Sequence, residues 1–331
     1  MIEKIKLNDI ADAAGVSVSS VCRAIKSPES VKETTLDKVN KAMASLGYMK
    51  KGCTYTPIKQ NKVILVIMSE SSSLFYNNII SGIETVVAYH AYNAFFKICP
   101  NNCDMTLEKI LNYCQCINAS GLIVLHGIRD ISILRELDNY LPVVQCCDSS
   151  PESGVSSVAI DDYACGKKLT NYLLKTGRRR IALISVSSYP YSEKREKGFR
   201  DVLAENSIDV DEQLIVHLKA ITYESAYVSA LNLLSLPNPP DAIFAISDTI
   251  AAAALSAAKK LGIRVPAEVG IVGVDNTLYS QISTPAITSV SQPNLNMGSL
   301  ACEILINEIV NRGTEKTVIN QDFELIIRDS T

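Results

Sequence analysis

The sequence predicts a small all-α head followed by an α/β core that contains two parallel sheets. Three observations support this fold class. Two short helical patterns meet at Gly15, and a third follows before residue 50. From Val63 onwards, apolar strand-like runs alternate with amphipathic helical stretches, which indicates parallel strands joined by crossover helices. Seven or more such units occur, and this exceeds one open sheet of usual size.

The head begins with two helices at a sharp corner. The first is predicted over about residues 7–14, and Gly15 can end it in the left-handed conformation. Ser17 is then a candidate N-cap, because its hydroxyl can accept a backbone N–H two or three residues later. The second helix runs from there to about Lys26.

The second helix has a polar outward face. Its inward residues are Val21, Ala24 and Ile25, and its outward residues are Val18, Ser19, Cys22 and Arg23. This is the helix-turn-helix pattern, in which the second helix enters the DNA major groove and its first residues contact base edges. The alternative is an ordinary αα-corner inside a core. The lack of hydrophobic cover on the outward face disfavours that alternative.

A third helix and a linker complete the N-terminal part. The helix is predicted over 33–46, with Leu36, Val39, Met43 and Leu46 forming its buried stripe and Gly47 ending it. Residues 49–62 are polar and basic and are interrupted by Gly52 and Pro57, which is typical of a linker.

The core is predicted from its alternating pattern. Strands are expected over 63–68, 94–99, 122–126, 142–147, 180–186, 214–218, 242–247 and 269–275. Helices are expected over 75–91, 106–117, 130–140, 162–176, 193–206, 224–235 and 249–261. These helices would cover both faces of the sheets.

Polar residues follow several predicted strands. Asp148, residues 187–191, Ser247 and Asp275 each come just after a strand, where ligands bind in open α/β sheets. Asp248 precedes a helix directly and is interpreted as its cap. Asp275 has no clear helix after it, which favours a binding role.

Composition limits the class of protein. The chain of 331 residues is 47% hydrophobic and 20% charged, a soluble globular balance that favours more than one domain. Residues 1–60 hold ten Lys/Arg against six Asp/Glu, whereas the remainder has a net charge of −7. A basic head on an acidic body is consistent with nucleic-acid binding by the head.

Targeting and metal signals are weak or missing. The first dozen residues carry charges where a signal peptide is apolar, and no run reaches the length of a membrane span. We therefore expect a cytoplasmic protein whose ten Cys are reduced thiols. Neither their spacing nor the three scattered His predicts a zinc site. No phosphate-binding loop, nucleophile elbow or acid–base pair can be identified, so we expect neither a cofactor nor an enzyme.

Two segments of the head and several segments of the core carry a resemblance to a known family. In the head these are DIADAAGVSVSSVCRAI and SVKETTLDKVNKAMASLGY. In the core they include LFYNNIISGIE, KTGRRRIALI, REKGF, PDAIFAISDTIAAAAL, LGIRVPAEVGIVGVDN and FELIIRDST. Through these segments the chain resembles the LacI/GalR family of transcriptional regulators over essentially its whole length.

The resemblance implies a domain plan and a set of partners. It implies a helix-turn-helix domain (1–48), a hinge (49–62) and a periplasmic-binding-protein-like core (63–331). The core would divide into one subdomain of about 63–161 and 293–321 and another of 162–292 and 322–331. A homodimer would place two heads on double-stranded DNA at a pseudo-palindromic operator. A small effector, most often a sugar or nucleobase, would bind in the cleft between the subdomains and alter the spacing of the heads.

Individual roles follow from the same resemblance. Ser17 and Ser20 match positions that contact phosphates, and Val18, Ser19 and Arg23 match positions that read bases; Lys26 and Ile58 complete the predicted DNA contacts. In the cleft, Phe75 and Tyr76 match an aromatic pair, and Asp148, Arg195 and Asp275 match hydrogen-bonding groups. Read without the resemblance, Arg195 would be assigned to a surface salt bridge.

The sequence departs from the family at its hinge and in its cleft. Pro57 stands where relatives have a Leu that enters the minor groove, and Pro inside a helix costs about 3 kcal/mol. Either Ile58 replaces that Leu in a shifted register, or the hinge does not order in the usual way. In the cleft, Ile221 replaces an aromatic residue, Ser247 replaces an Asn, and Tyr189 and Tyr191 are candidates to stack on the ligand instead.

The leading interpretation is a DNA-binding repressor controlled by a carbohydrate-like effector. Two other interpretations remain open. The same dimeric regulator could respond to a protein partner or to no effector, or the chain could be a solute-binding protein. The basic head and the missing signal peptide argue against the second of these.

Overall fold

The computed structural model describes residues 6–26, 31–46, 62–70, 73–100, 105–125, 128, 130–149, 151–187 and 189–331. Its residues form two compact units. The head belongs to the first unit, which also includes Glu108–Ser120, and the two sheets lie in the second, which begins at Ile64. The predicted hinge residues Gly52, Pro57 and Ile58 lie outside the described residues, as does Gly47.

The head contains the three predicted helices, α1 (Leu7–Ala14), α2 (Val18–Lys26) and α3 (Glu33–Leu46). Gly15 ends α1 with φ 63° and ψ 39°, the left-handed conformation expected for it, and its N–H donates to the carbonyls of Ala11 and Asp12. The buried centre consists of small and medium apolar side chains: Ile10, Ala11, Val21, Ala24, Val39 and Ala42. The helices therefore pack through the faces that the sequence pattern indicates.

The first sheet of the core has the strand order β11-β5-β4-β3-β1-β2. Its strands are β1 (Val63–Ser69), β2 (Asn93–Cys99), β3 (Gly121–Val124), β4 (Val143–Cys146), β5 (Ser156–Ile160) and β11 (Val318–Gln321). The pairs β1–β3, β3–β4, β4–β5 and β5–β11 are parallel. The helices along this part of the chain are α4 (Ser73–Tyr89), α5 (Leu107–Cys116) and α6 (Ser132–Asp138).

The second sheet has the order β12-β10-β9-β8-β6-β7. Its strands are β6 (Ile181–Val186), β7 (Ile215–Leu218), β8 (Ala242–Ala245), β9 (Gly270–Val274), β10 (Thr288–Ser291) and β12 (Glu324–Ile326). The helices along this part of the chain are α7 (Asp162–Lys175), α8 (Pro190–Glu205), α9 (Tyr223–Leu234), α10 (Asp248–Leu261), α11 (Leu278–Ile282) and α12 (Asn294–Val310). Of these, α12 packs against α4 and the strands β3, β4 and β5 of the first sheet. All pairs are parallel except β10–β12, which is antiparallel.

The strand β12 departs from the parallel arrangement of the rest of its sheet. The chain passes between the sheets at α7, at α12 and again between β11 and β12. Only two residues separate β11 from β12. No helix can fit in that connection. The chain therefore leaves the first sheet at the carboxyl end of β11 and enters the second sheet at the edge where its parallel strands have their carboxyl ends. A strand that enters from the carboxyl edge runs against its neighbours.

Among the differences from the predicted helices, two lie beside predicted site residues. Helix α8 begins at Pro190, three residues earlier than expected, because Pro at the first helical position lacks only an N–H that would be unpaired there. A short helix, α11, follows Asp275 after two residues, although no helix was expected there. Its five residues are too few to show a helical period in the sequence.

Close contact between α7 and α8 determines where α8 lies. A Cβ on Gly166 would lie 2.2 Å from the carbonyl oxygen of Arg195, and one on Gly198 would lie 2.3 Å from the carbonyl oxygen of Tyr163. The two backbones can approach this closely only because both positions are glycine. Arg195 is thereby held against the first turn of α7. None of the helices in the described part of the chain is long and apolar enough to cross a membrane.

Candidate functional site

The start of α2 carries a cluster of hydroxyl groups. The Ser17 hydroxyl accepts the N–H of Ser20 at 3.2 Å, so Ser17 is a capping residue as predicted. The Ser19 and Ser20 hydroxyls each lie 2.9 Å from the Ser17 hydroxyl. Exposed hydroxyls at the positive end of a helix are well placed to donate to phosphate oxygens.

The outward face of α2 is accessible. Val18 is 39% exposed, and Ser19 and Arg23 are exposed as well. The Arg23 Nε donates to the carbonyl of Ser19 at 3.4 Å, which keeps the guanidinium along the helix surface. Lys26 is the last residue of α2, but its side chain lies outside the described residues. The face could therefore enter a groove without rearrangement of the helix.

The core contains a cavity with about 670 Å³ of empty space, counted to its open mouth. Its walls come from both sheets: Ser69, Phe75, Tyr76, Leu125, Cys147, Asp148, Tyr189, Tyr191, Arg195, Ile221, Ile246, Ser247, Asp275 and Gln292. Most of them end a strand or lie within two residues after one, as Ser69 does in β1 and Asp275 does after β9. The mixture of apolar walls and a few polar groups is typical of a small-molecule site.

Two tyrosine-containing pairs form the aromatic walls. The rings of Phe75 and Tyr76 lie 5.4 Å apart, and those of Tyr189 and Tyr191 lie 5.6 Å apart. The Tyr76 hydroxyl donates to the carbonyl of Leu125 at 2.9 Å, which fixes its ring. Such rigid faces can stack on a flat heterocycle or on the apolar face of a sugar ring.

Arg195 is a buried ion-pair partner rather than a surface residue. Its side chain is 5% exposed, and its Nε and Nη2 both lie 2.8 Å from Oδ1 of Asp162, which is 2% exposed. Its Nη1 donates to the carbonyl of Ile246 at 2.7 Å, and its guanidinium lies 5.1 Å from the ring centre of Tyr191. The prediction made without the family resemblance, a surface salt bridge, is therefore wrong, because α8 turns this residue towards the core.

Asp148 is the second charged group of the wall. Burial raises its pKa from 3.8 to about 6, although the Lys194 ammonium, 3.8 Å away, acts in the opposite direction. Lys194 itself donates to the carbonyl of Ser149 at 2.5 Å. Lys194 lies on α8 and Ser149 follows β4, so this contact joins the two sides of the cavity.

Asp275 is held in an unusual backbone conformation. Its φ is 104°, and the next residue, Asn276, has φ 48°. Gln292 donates to its Oδ1 at 2.9 Å. Burial raises the pKa of Asp275 to about 7, and Arg195 counteracts this only in part.

Asp248 does not cap α10, contrary to the prediction. Ser247 is the cap, since its hydroxyl accepts the N–H of Ile250 at 3.4 Å. The Asp248 carboxylate instead accepts the backbone N–H of Thr277 at 2.5 Å, the hydroxyl of Thr277 at 3.0 Å and the hydroxyl of Ser289 at 2.6 Å. Asp248 thus fixes the turn that carries Asp275.

All nine predicted effector residues line this one cavity: Phe75, Tyr76, Asp148, Tyr189, Tyr191, Arg195, Ile221, Ser247 and Asp275. That they contact an effector stays a prediction. Sequence reasoning missed Ser69, Leu125, Cys147, Ile246 and Gln292. Each of these five residues ends or directly follows a strand of the structure, so the strand-end rule applied to the observed strands selects them all. Ser187 follows a strand but is not part of the wall.

The site offers hydrogen bonding rather than metal binding. Within the described ranges, no group of three or more His, Cys, Asp or Glu is placed to hold a metal ion. The wall supplies carboxylates, hydroxyls, an amide and a guanidinium, which can both donate to and accept from a ligand. Burial raises the pKa of the Cys147 thiol.

Known proteins match both parts of the chain. Residues 6–51 match the family described as bacterial regulatory proteins, lacI family, and residues 170–331 match the periplasmic binding protein-like domain. The chain is 32% identical to the HTH-type transcriptional repressor CytR of Escherichia coli (strain K12), over 98% of this chain and 96% of that protein. It is 30% identical to the HTH-type transcriptional regulator DegA of Bacillus subtilis (strain 168), over 99% and 98%.

A solved structure matches the complete fold. The transcriptional regulator CelR-cellobiose complex superposes with a TM-score of 0.74 and 28% sequence identity, over 99% of this chain and 100% of that chain. Together with the sequence matches, this confirms the expected head and two-sheet periplasmic-binding-protein-like core.

Proposed function

The chain belongs to the LacI family of DNA-binding transcriptional regulators, and we propose that it is a repressor whose affinity for its operator is controlled by a small effector bound in the cavity of the core. One observation carries the effector part of the proposal. The nine residues that sequence patterns and the family resemblance predict for effector binding line a single cavity between the two sheets. A ligand there would contact both sheets and would alter their closure.

A polyhydroxylated or heterocyclic effector fits the cavity walls. Each hydroxyl of such a ligand both donates and accepts, and the wall offers partners of both kinds. The aromatic pairs provide flat apolar faces. The likeness to the CelR-cellobiose complex supports a sugar or sugar derivative. The polar wall favours a small molecule over the alternatives of a protein partner or no effector.

A homodimer on a pseudo-palindromic operator completes the proposal. One helix-turn-helix reads only one half-site, and two-fold symmetry in the protein matches two-fold symmetry in the DNA. The division proposed for the chain is a reading head (1–48), a hinge (49–62) and the core (63–331). A pure solute-binding protein would not need the head, and the relatives described above are regulators rather than enzymes.

The DNA-reading role is tested with Arg23. An operator is first selected from random duplexes with the wild-type protein, and its binding is then compared with that of an unrelated duplex. Arg23→Ala is expected to lower the ratio of specific to non-specific affinity about tenfold or more, because a bidentate contact to guanine contributes roughly 1–3 kcal/mol of discrimination.

Lys38→Ala is the matched control, since Lys38 is an exposed cation of α3 in the same head. Its loss can weaken binding to both duplexes but should leave their ratio unchanged. An Arg23→Ala protein that keeps the wild-type ratio would remove Arg23 from the base-reading contacts.

A further inference from the structure

Two cationic side chains lie in or beside the cavity wall, Arg195 and Lys194. Each already forms an ion pair with a carboxylate of the protein. In Arg195, three donor atoms are engaged: Nε and Nη2 with the Asp162 carboxylate and Nη1 with the Ile246 carbonyl. Asp162 is 2% exposed and is located at the start of α7, so the pair it makes with Arg195 is buried. A ligand therefore meets a guanidinium whose positive charge is balanced by the Asp162 carboxylate. Its remaining N–H groups can still donate hydrogen bonds to uncharged acceptors.

Lys194 is committed in a comparable way. Its ammonium lies 3.8 Å from Asp148 and donates at 2.5 Å to the carbonyl of Ser149. Although its side chain is 39% exposed, the ammonium is directed to the loop after β4. Its charge thus offsets Asp148 and is not presented to the interior of the cavity.

The carboxylates outnumber these cations. Asp148 and Asp275 line the cavity, Asp162 lies behind Arg195, and Asp248 lies behind the turn of Asp275. Among the described residues, the ion pairs that these four buried or half-buried carboxylates make involve only Arg195 and Lys194. Burial is the main reason why the pKa values of Asp148 and Asp275 are raised to about 6 and about 7, and the neighbouring carboxylates act in the same direction.

We propose that the effector carries no anionic group: the cavity takes an uncharged or amine-bearing compound whose hydroxyls or N–H groups donate to Asp148 and Asp275, and it rejects phosphorylated and carboxylated analogues. This inference rests on the proposed function, because it concerns the same cavity. A phosphate would lose its hydration without gaining an unpaired cation, and it would lie close to Asp275.

The inference assigns a specificity-determining role to Asp162, which does not line the cavity. Because the Asp162 carboxylate balances the charge of Arg195, the guanidinium donates hydrogen bonds to uncharged groups and does not attract an anion. Removal of the carboxylate charge should convert the cavity towards anion binding. In the same way, Asp148 balances the charge of Lys194, and removal of the Asp148 charge should also favour anion binding.

The first experiment uses matched pairs of compounds. Hexoses, hexosamines and nucleosides are each tested beside their monophosphate esters by thermal shift, followed by calorimetry, since a compound that binds the native state raises its melting temperature. We expect at least one parent compound to bind at least tenfold more tightly than its ester. An ester that binds more tightly than its parent would overturn the inference.

The second experiment uses inorganic phosphate as the probe and gives a result whether or not the panel contains the effector. Phosphate is titrated against chloride of equal ionic strength for the wild type, Asp162→Asn and Asp148→Asn, with the exposed and distant Asp209→Asn as the control. The wild type and the control should show no saturable stabilisation in the millimolar range. At least one of the two cavity variants should acquire it.

Two outcomes would contradict the inference. One is saturable phosphate binding by the wild type that Arg195→Gln abolishes. The other is that Asp162→Asn and Asp148→Asn both fold but show no more saturable stabilisation by phosphate than Asp209→Asn does. If Asp162→Asn fails to fold because the buried Arg195 loses its partner, Asp148→Asn and the wild type still decide the question.

Failure of the proposed function would look different. The phosphate titration requires neither an operator nor an effector, so a protein that never binds DNA could still satisfy it. Conversely, a phosphorylated compound that released the protein from its operator would support the proposed function and overturn this inference.

Discussion

At Asp275, both the backbone and the electrostatic environment oppose the folded state. Its φ of 104° lies in a region that residues with a Cβ rarely adopt. Burial raises its pKa from 3.8 to about 7, so at neutral pH ionisation of this carboxyl costs more in the native protein than in the unfolded chain. Both costs are found at a residue predicted to bind the effector, which is the usual position for a conflict between stability and function.

Asp275→Asn should therefore stabilise the protein. Between its ordinary pKa and about 7, the native state binds the proton more tightly than the unfolded chain, so stability falls as pH rises through this range. Because the side chain still faces the cavity, we expect a gain of about 1–3 kcal/mol at pH 8 that shrinks towards pH 5. Urea denaturation of both proteins across this range measures it.

The amide can still accept the hydrogen bond from Gln292, so the substitution changes the charge and little else. Asp209→Asn provides the control, because Asp209 is an exposed carboxylate. If the difference in unfolding free energy between wild type and Asp275→Asn did not vary with pH, the stabilisation would not come from removal of a buried charge.

The charged residues of the cavity show what sequence can predict at this scale. Asp148 and Asp275 follow strands, so the strand-end rule is enough to select them. Arg195 was selected through the family resemblance alone. Its partner Asp162 lies 33 residues away at the start of another helix, and no periodicity within either helix indicates that the two meet. Their contact depends on the close approach of α7 and α8 at glycine.

The element that supports Asp275 is the turn between β9 and α11. Its residues Asn276 and Thr277 connect the cavity wall to a helix with an exposed apolar surface. The fully buried Asp248 anchors it, because its carboxylate accepts two hydrogen bonds from Thr277 and a third from Ser289 of β10. The conformation of the turn therefore depends on a residue that was predicted to serve only its own helix.

Replacing Asp248 should loosen this turn. Asp248→Ala leaves the Thr277 N–H without an acceptor and is expected to cost about 1–3 kcal/mol, the penalty for an unpaired buried donor. Asp248→Asn keeps an oxygen for that N–H and should cost less than half as much. Chemical denaturation gives the cost, and hydrogen exchange at the Thr277 amide reports the turn itself.

The N-cap residue Asp211 serves as a control that distinguishes local loosening of the turn from general destabilisation. Asp211 accepts the N–H of Gln213 and has no contact with the turn, so Asp211→Ala should leave exchange at Thr277 unchanged. If Asp248→Asn were as damaging as Asp248→Ala, or if neither changed exchange at Thr277, the anchoring role would be wrong.

Element prediction succeeded where the hydrophobic pattern was strong. Continuous apolar runs such as Val63–Ser69 and Ile181–Val186 are buried along nearly their whole length. The short strand Ser156–Ile160 contains two Ser and gives no such signal, although all five residues are buried. The direction of β12 is set by the connection from β11 rather than by its own residues, so its sequence could not reveal it.

On the scale of the whole molecule, the core is two sheets whose carboxyl ends meet at one cavity. The chain passes between them three times, so both sheets contribute early and late segments. The cavity wall therefore contains residues from position 69 to position 292. Sequence could predict the two sheets from the number of units, but it could not show which side chains face each other across the cavity.

An exposed apolar surface on the core has a bearing on assembly. Within α11, Leu278 is 54% exposed and Ile282 is 65% exposed. Nearby, Tyr223 and Tyr279 line one groove and are 43% and 41% exposed. Side chains of this size stay exposed at some cost, and a cluster of them is typical of a protein interface. We expect this surface to form part of the proposed homodimer.

Ile282→Glu should therefore shift the protein towards monomer, because a charge buried at a two-fold interface occurs twice. The shift is measured by analytical ultracentrifugation over a range of concentrations. Operator affinity should fall about 100-fold or more, since the second head no longer binds at high effective concentration. Val310→Glu is the matched control, because Val310 is also 65% exposed but lies at the end of α12. Equal effects of the two substitutions, or a dimeric Ile282→Glu protein, would exclude α11 from the interface.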